Sequence, residues 1–259
     1  MQIIGCQLAI VWEDKPANHH KVRLLMERAA PSPGALIILP EMFATGFSMK
    51  IARIAEDEER SSEHFLAHLA ADFGVYVQGG VVNRGADGKG LNQAVTFAPD
   101  GSEVARYTKL HPFSYAKEDR YYLGGEFPVT FPWQETTVAP LICYDLRFPE
   151  VFRVGVRQGA ALFTVIANWP QPRIAHWITL LQARAIENQA YVIGVNRCGD
   201  DPWLNYPGRS LIVNPRGEII VTAGSEEGTI SATLELPELL AYRREFPVLA
   251  DIRPEFLAP

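Results

Sequence analysis

The stretch Gly159-Ala160-Ala161-Leu162-Phe163-Thr164-Val165-Ile166-Ala167-Asn168 decides the fold, because it echoes an earlier one, Gly34-Ala35-Leu36-Ile37-Ile38-Leu39-Pro40-Glu41. Each is an apolar run that follows a helix-like segment and stops on a polar residue. The likeness extends outward. Asp72-Phe73-Gly74-Val75-Tyr76-Val77, a passage from helix to strand, is matched by Asn188-Gln189-Ala190-Tyr191-Val192-Ile193. Thr96-Phe97-Ala98-Pro99-Asp100-Gly101-Ser102-Glu103-Val104 parallels Ile212-Val213-Asn214-Pro215-Arg216-Gly217-Glu218-Ile219-Ile220, and both read as hairpins turning at Pro-x-Gly. Two copies of strand–helix–strand–helix–strand–hairpin predict two similar mixed sheets. Their central strands are unbroken apolar runs, which need cover on both faces. The expected fold is therefore α/β, a four-layer α-β-β-α sandwich. It is expected as a single domain over residues 1–259 with a pseudo-twofold internal repeat.

Hydrophobic periodicity places strands at 3–10, 35–39, 75–82, 93–98, 104–108, 138–142, 161–166, 191–196, 210–213, 219–222 and 229–234. It places helices at 16–30, 61–72, 149–157, 174–189 and 237–244. Pro16 and Pro149 suit first-turn positions, where a missing N–H is harmless. Ser61 and Ser62 offer oxygens to cap the helix that starts there.

Composition narrows the function classes. Of 259 residues, 47% are hydrophobic and 21% charged, as in an ordinary soluble protein. A net charge of −6 without basic runs gives no footprint for nucleic acid or for a membrane surface. No apolar run approaches the roughly 18 residues of a membrane span. Met1-Gln2-Ile3-Ile4-Gly5-Cys6 enters a strand without a basic region or an apolar signal core. The three cysteines, Cys6, Cys143 and Cys198, are widely spaced and form no Cys-x-x-Cys pair, so neither a disulfide framework nor a cysteine zinc site is expected. A reduced, cytoplasmic enzyme is the expectation.

Within this frame Cys143 ends an apolar strand just before a turn toward a helix, a place that presents a thiol. Glu41 and Lys109 sit at comparable strand ends, and ligands in α/β sheets bind outside such ends. Singly, each residue has a bland reading: Glu41 a cap, Lys109 a surface charge, Cys143 inert packing. Converging on one sheet edge, they would make a covalent hydrolase, suited to the poorly electrophilic carbon of an amide or nitrile. Cys143 would form a thioester, Glu41 would serve as base and then acid, and Lys109 with the Tyr144 N–H would stabilise the oxyanion. Asp145 and Arg147 flank the thiol and read as a buried structural pair that shapes the turn. His111 reads as a hydrogen-bonded structural histidine. His64 and His68, four residues apart, lack the His-Glu-x-x-His pattern, and no metal site is expected. No dinucleotide or P-loop motif calls for a cofactor.

Leu39-Pro40-Glu41-Met42-Phe43, Tyr107-Thr108-Lys109-Leu110-His111-Pro112-Phe113 and Leu141-Ile142-Cys143-Tyr144-Asp145-Leu146-Arg147-Phe148-Pro149-Glu150 resemble the three signature segments of the nitrilase (carbon–nitrogen hydrolase) superfamily. The likeness runs over nearly the whole chain. It implies the four-layer sandwich, a Glu41–Lys109–Cys143 triad and a homodimer joined through helices near the site. It also implies a further glutamate after the lysine, which falls on Glu118 beside Asp119. Ala167-Asn168-Trp169-Pro170, Arg173, His176-Trp177 and the ending Phe246–Pro254 resemble the ω-amidase branch. That branch deamidates 2-oxoglutaramate and 2-oxosuccinamate, anionic substrates for which Arg173 is the first candidate partner, with Asn168 and Trp169 beside it. A surface pairing of Arg173 is an equal reading. The rival activities are those of an aliphatic amidase, an N-carbamoyl amidohydrolase or a nitrilase. From another class, an inert small-molecule or protein-binding module remains.

Overall fold

The structure, a computed structural model, describes residues 1–256. The last three residues of the domain expected over 1–259 lie outside the described residues. The first repeat unit runs β1 (Gln2–Gln7), α1 (Lys15–Ala29), β2 (Leu36–Ile38), α2 (Ile51–Ile54), α3 (Ser61–Phe73), β3 (Tyr76–Arg84), β4 (Gly90–Phe97) and β5 (Glu103–Thr108). A connection follows with α4 (Glu118–Tyr121), β6 (Tyr122–Leu123) and β7 (Phe131–Trp133). The second unit runs β8 (Thr136–Ile142), α5 (Pro149–Arg157), β9 (Leu162–Ala167), α6 (Ile174–Asn188) and β10 (Tyr191–Asn196). A small hairpin, β11 (Cys198–Asp200) and β12 (Asn205–Pro207), leads to β13 (Leu211–Val213) and β14 (Ile219–Thr222). The chain then returns through β15 (Gly228–Thr233) to α7 (Leu236–Glu245).

One sheet has the order β15-β1-β2-β3-β4-β5, with β6 on β4, and the other β14-β13-β10-β9-β8-β7. Read from opposite ends, the two orders correspond. β1, β2 and β3 are parallel, as are β8, β9 and β10, and each trio is flanked by antiparallel strands. Strand alternation assigns the core. Ile3, Leu36 and Ile38 face the other sheet and pack with Val138, Leu162 and Ile193. Their neighbours Ile4, Cys6 and Ile37 face the helices and meet Val22, Leu25, Leu66 and Leu69. Both faces of the central strands are thus covered, which is why their sequences do not alternate. Each such buried aliphatic side chain stabilises by roughly 1.5–3 kcal/mol. No helix among the described residues is long and apolar enough to cross a membrane.

Two local expectations are corrected. The strand expected over 3–10 pairs only to Gln7, because the chain then leaves the sheet; Ala9 makes an isolated bridge to Cys198. Helix α3 is not capped by its serines. Arg60, in the left-handed region at φ 46°, precedes it, and the Glu56 carboxylate accepts the Ser62 N–H at 2.8 Å. A carboxylate serves better there, since it complements the positive end of the helix. The short elements α2, α4, β6, β7, β11 and β12 carry no sequence periodicity because each spans too few residues to show one.

Candidate active site

Glu41 lies three residues beyond β2, and β3 holds it in place. Leu39 N–H donates to Gln78 O at 2.8 Å, Gly80 N–H to Pro40 O at 3.2 Å and Phe43 N–H to Gly80 O at 3.1 Å. A Cβ on Gly80 would stand 2.4 Å from Met42 N and 2.6 Å from Glu41 Cα, so only glycine permits this approach. The Glu41 side chain is fully buried. Its Oε1 accepts from Asn92 Nδ2 at 2.8 Å and Lys109 Nζ at 3.0 Å. Its Oε2 accepts from Asn168 N–H at 2.8 Å. Asn168 Nδ2 also donates to the Glu41 backbone carbonyl, at 2.7 Å. Glu41 and Asn168, the polar ends of the two repeated runs, therefore meet across the gap between the sheets.

Lys109 follows β5. Its N–H donates to Asn92 O at 2.9 Å, and its carbonyl accepts from Gly125 N–H at 2.8 Å. The buried ammonium lies between two carboxylates, Glu41 at 3.0 Å and Glu118 Oε2 at 2.9 Å. Glu118 opens the single turn α4 and also accepts from Asn92 Nδ2 at 3.1 Å and Phe113 N–H at 2.5 Å. Asp119 beside it is exposed. The structure thus brings Glu118, and not Asp119, to Lys109.

Cys143 begins a single 3₁₀ turn (Cys143–Arg147) directly after β8, with φ 46°. A non-glycine residue in that region stores on the order of 1–3 kcal/mol and is met where the fold over-determines it. The first N–H groups of such a turn have no intrahelical acceptor, and the Tyr144 N–H is one of them. Cys143, Lys109, Asn168 and Tyr144 open together onto a cavity of about 230 Å³. Its walls include Phe47, Trp169, Arg147, Arg173 and, from the β11–β12 hairpin, Trp203 and Tyr206.

Residues 5–244 match the family described as carbon-nitrogen hydrolase. The chain belongs to this family. Among relatives, it is 39% identical over 247 residues to the omega-amidase YafV of Yersinia enterocolitica, covering 95% of this chain and 94% of the relative. It is 33% identical to the 2-oxoglutaramate amidase of Bacillus subtilis, covering 96% and 97%. A crystal structure of a CN-hydrolase superfamily protein of Xanthomonas campestris, with an arsenic adduct in its active site, superposes with a TM-score of 0.91. It shares 32% identity and covers 98% of this chain and 97% of its own.

Electrostatics define the resting site of this carbon–nitrogen hydrolase. Burial by itself would raise Glu41; the Lys109 charge and the Asn92, Lys109 and Asn168 donors outweigh it and hold the carboxyl below its usual range. Burial lifts the Cys143 thiol well above the ordinary value; the Glu41 charge adds to this, Lys109 opposes it and Glu118 adds again. Burial would lower Lys109, but the charges of Glu118 and Glu41 raise it, so the ammonium stays charged. Glu118 is raised by burial against the pull of Lys109, with the Glu41 charge adding to the rise. The resting pair is therefore thiol and carboxylate.

The expected pairing of Asp145 with Arg147 is not found. Asp145 is fully buried and accepts from Tyr107, His111 and the Ile142 N–H instead. Arg147 turns the other way into the cavity, its guanidinium 4.8 Å over the Trp169 ring and within reach of His176. Nor does Arg173 pair with a surface carboxylate. It leans over Phe113 at 5.5 Å and Tyr115 at 5.8 Å, and its carbonyl accepts the Trp169 Nε1–H at 2.7 Å. Neither arginine forms an ion pair among the described residues. Sequence reasoning missed Asn92, mid-strand and without a motif, and the hairpin residues Asp201, Trp203 and Tyr206. Arg147 stands over Trp169 and beside His176, not against Asp145 as its position in the turn predicts. In a tight turn, alternate residues project to different sides, and spacing alone did not reveal which side was the cavity.

Proposed function

We propose that this chain is an ω-amidase, which hydrolyses the terminal carboxamide of a 2-oxo acid amide, 2-oxoglutaramate or 2-oxosuccinamate, to carboxylate and ammonia. The observation that carries the reading is the pair of cavity arginines, Arg147 and Arg173, which have no carboxylate partner among the described residues and lie near the Glu41–Lys109–Cys143 cluster. Burial and the neighbouring Arg173 charge lower the Arg147 pKa, so an incoming carboxylate relieves a repulsion as well as forming charge-assisted hydrogen bonds. Trp169 organises the pair, with Arg147 over its ring and the Arg173 carbonyl on its indole N–H. The names of the Yersinia enterocolitica and Bacillus subtilis relatives support the same substrate class.

The mechanism follows from the resting charges. With the carboxamide carbon over the sulfur, Cys143 attacks as its proton passes to Glu41, so no free thiolate need accumulate. The oxyanion develops toward Lys109 Nζ and the Tyr144 N–H, donors already held in place by the fold. Protonated Glu41 gives its proton to the nitrogen, the C–N bond breaks and ammonia leaves a Cys143 thioester. Glu41 then takes a proton from water, which attacks the thioester; collapse breaks the C–S bond and returns the proton to sulfur. Glu118, hydrogen-bonded to Lys109 and Asn92, holds both donors in place.

We further propose that the chain acts as one domain and works in the cytoplasm as a homodimer joined through helices near the site. The free thiols suit a reducing compartment, and exposed Ile186 on α6 suits a helix-mediated contact. Light scattering at the mass of two chains is the expected result for the dimer. An ammonia-release assay across 2-oxo acid amides, neutral aliphatic amides, N-carbamoyl amino acids and nitriles tests the substrate reading. Preference for the 2-oxo acid amides is expected. Preference for neutral amides would turn the largely aromatic cavity wall into the deciding feature and make the chain an aliphatic amidase.

A further inference from the structure

Asp145 lies two residues beyond Cys143, fully buried, and takes no part in the steps above. Its carboxylate accepts four hydrogen bonds. Oδ2 takes Tyr107 Oη–H at 2.8 Å and Ile142 N–H at 3.1 Å. Oδ1 takes His111 N–H at 3.0 Å and His111 Nδ1 at 2.8 Å, the ring nitrogen donating because an ionised carboxylate only accepts. The donors are not scattered along the chain. Tyr107 and His111 stand two residues to either side of Lys109, and Ile142 immediately precedes Cys143.

We propose that Asp145 is a positioning residue that fixes the Lys109 ammonium relative to the Cys143 sulfur across the gap between the two sheets. The bonds to Asn92 and Gly125 hold the Lys109 backbone only within its own half of the molecule. β5 is the outer strand of the first sheet, and Cys143 occupies a strained left-handed turn at the end of β8 in the second. Asp145 joins these two pieces, one from each sheet, through a single carboxylate. His111 adds a second attachment, its ring stacked at 3.8 Å on Phe148 in the turn beyond the cysteine. All four donors point at one anion in a buried place, so removing its charge disturbs both attachments together.

The inference rests on the reading of Cys143 as nucleophile and Lys109 as oxyanion donor. The test is a double-mutant cycle of Asp145→Asn with Lys109→Ala, read as ammonia release from 2-oxoglutaramate. In Asp145→Asn an amide N–H2 must face donors that the carboxylate accepted. The single variant is expected to lose about a hundredfold in kcat, as a misplacement near 1 Å does, with KM within about twofold because the cavity arginines are untouched. In the Lys109→Ala background the same change should cost less than about threefold, since the group it positions is gone. Losses that multiply across the cycle, or a single-variant kcat near wild type, overturn the proposal. If Asp145→Asn does not fold, Tyr107→Phe runs the same cycle, keeping its ring in the core and removing one donor; a kcat loss that persists undiminished without Lys109 has the same overturning force. A Lys109→Ala enzyme of full rate would instead sink the underlying reading, which keeps the two failures apart.

Discussion

Gly80→Ala should slow this enzyme about a hundredfold without replacing any side chain that meets substrate. The added Cβ would lie 2.4 Å from Met42 N, 2.6 Å from Glu41 Cα and 2.8 Å from Pro40 O. Ordinary contact begins near 3.4 Å, so the seam must open by 3.4 − 2.4 = 1.0 Å. All three neighbours are main-chain atoms, and no rotamer change relieves the clash. The two seam hydrogen bonds made by Gly80 itself, its N–H to Pro40 O at 3.2 Å and Phe43 N–H to its carbonyl at 3.1 Å, stretch as the seam opens. Glu41 is then carried away from Asn168 and Lys109. A displacement of about 1 Å at a reacting group costs on the order of 10² in rate, and overpacking of this kind costs about 1–3 kcal/mol of stability. Steady-state ammonia release should record the loss in kcat with KM held, since Arg147 and Arg173 come from the other half of the molecule. Thermal unfolding should fall by several degrees, at roughly 2–4 °C per kcal/mol for a chain of this size. Gly224→Ala is the control, for nothing lies within 4 Å of its Cβ position. A Gly80→Ala enzyme with wild-type kcat and an unchanged melting temperature would refute the argument that β3 sets the place of Glu41.

Cys143→Ala should abolish turnover while leaving the unfolding transition near its wild-type position, and mass spectrometry should find no acyl adduct; full activity would remove the thioester mechanism. Lys109→Ala should cost at least about 10²–10³ in kcat, and a minor loss would end its oxyanion role. Arg147→Gln and Arg173→Gln should each raise KM for 2-oxoglutaramate by roughly 10–100-fold, the worth of a charge-assisted hydrogen bond, while leaving a neutral amide unaffected. Equal losses on both substrates would show that the arginines act on the fold and not on the carboxylate. Alkaline pH should destabilise the protein, because burial raises the Cys6 thiol from 9.0 to about 12. A raised folded pKa means that the native state keeps its proton while the unfolded chain loses it, so stability is full below pH 9 and falls as pH climbs toward 12. The slope is about 1.4 kcal/mol per pH unit for one such group. Urea unfolding from pH 8.5 to 10.5 should show a shallower slope in Cys6→Ala, and an identical slope would contradict the assignment.

The amino-acid sequence by itself determined the architecture and singled out Glu41, Lys109 and Cys143, which the structure brings together. The duplicated pattern from Gly34 to Glu41 and from Gly159 to Asn168 is local and periodic, and periodicity is what a linear chain can display. Lys109 and Cys143 were legible because each ends a strand within a recognisable segment, and strand ends gather at one edge. Tertiary structure alone decided what surrounds them. Asn92 sits mid-strand among ordinary residues and matters because its amide donates to both Glu41 and Glu118. Asp145 and Arg147, two residues apart, read as partners, yet they face opposite ways: one inward to Tyr107 and His111 across the sheets, the other into the cavity. Trp203 and Tyr206 reach the site on a hairpin too short to leave a periodic trace. A hydrogen bond between residues a hundred positions apart has no signature in sequence spacing, since its geometry is set by how two sheets pack. The three residues are written along the chain; their distances, charges and surroundings come from the packing.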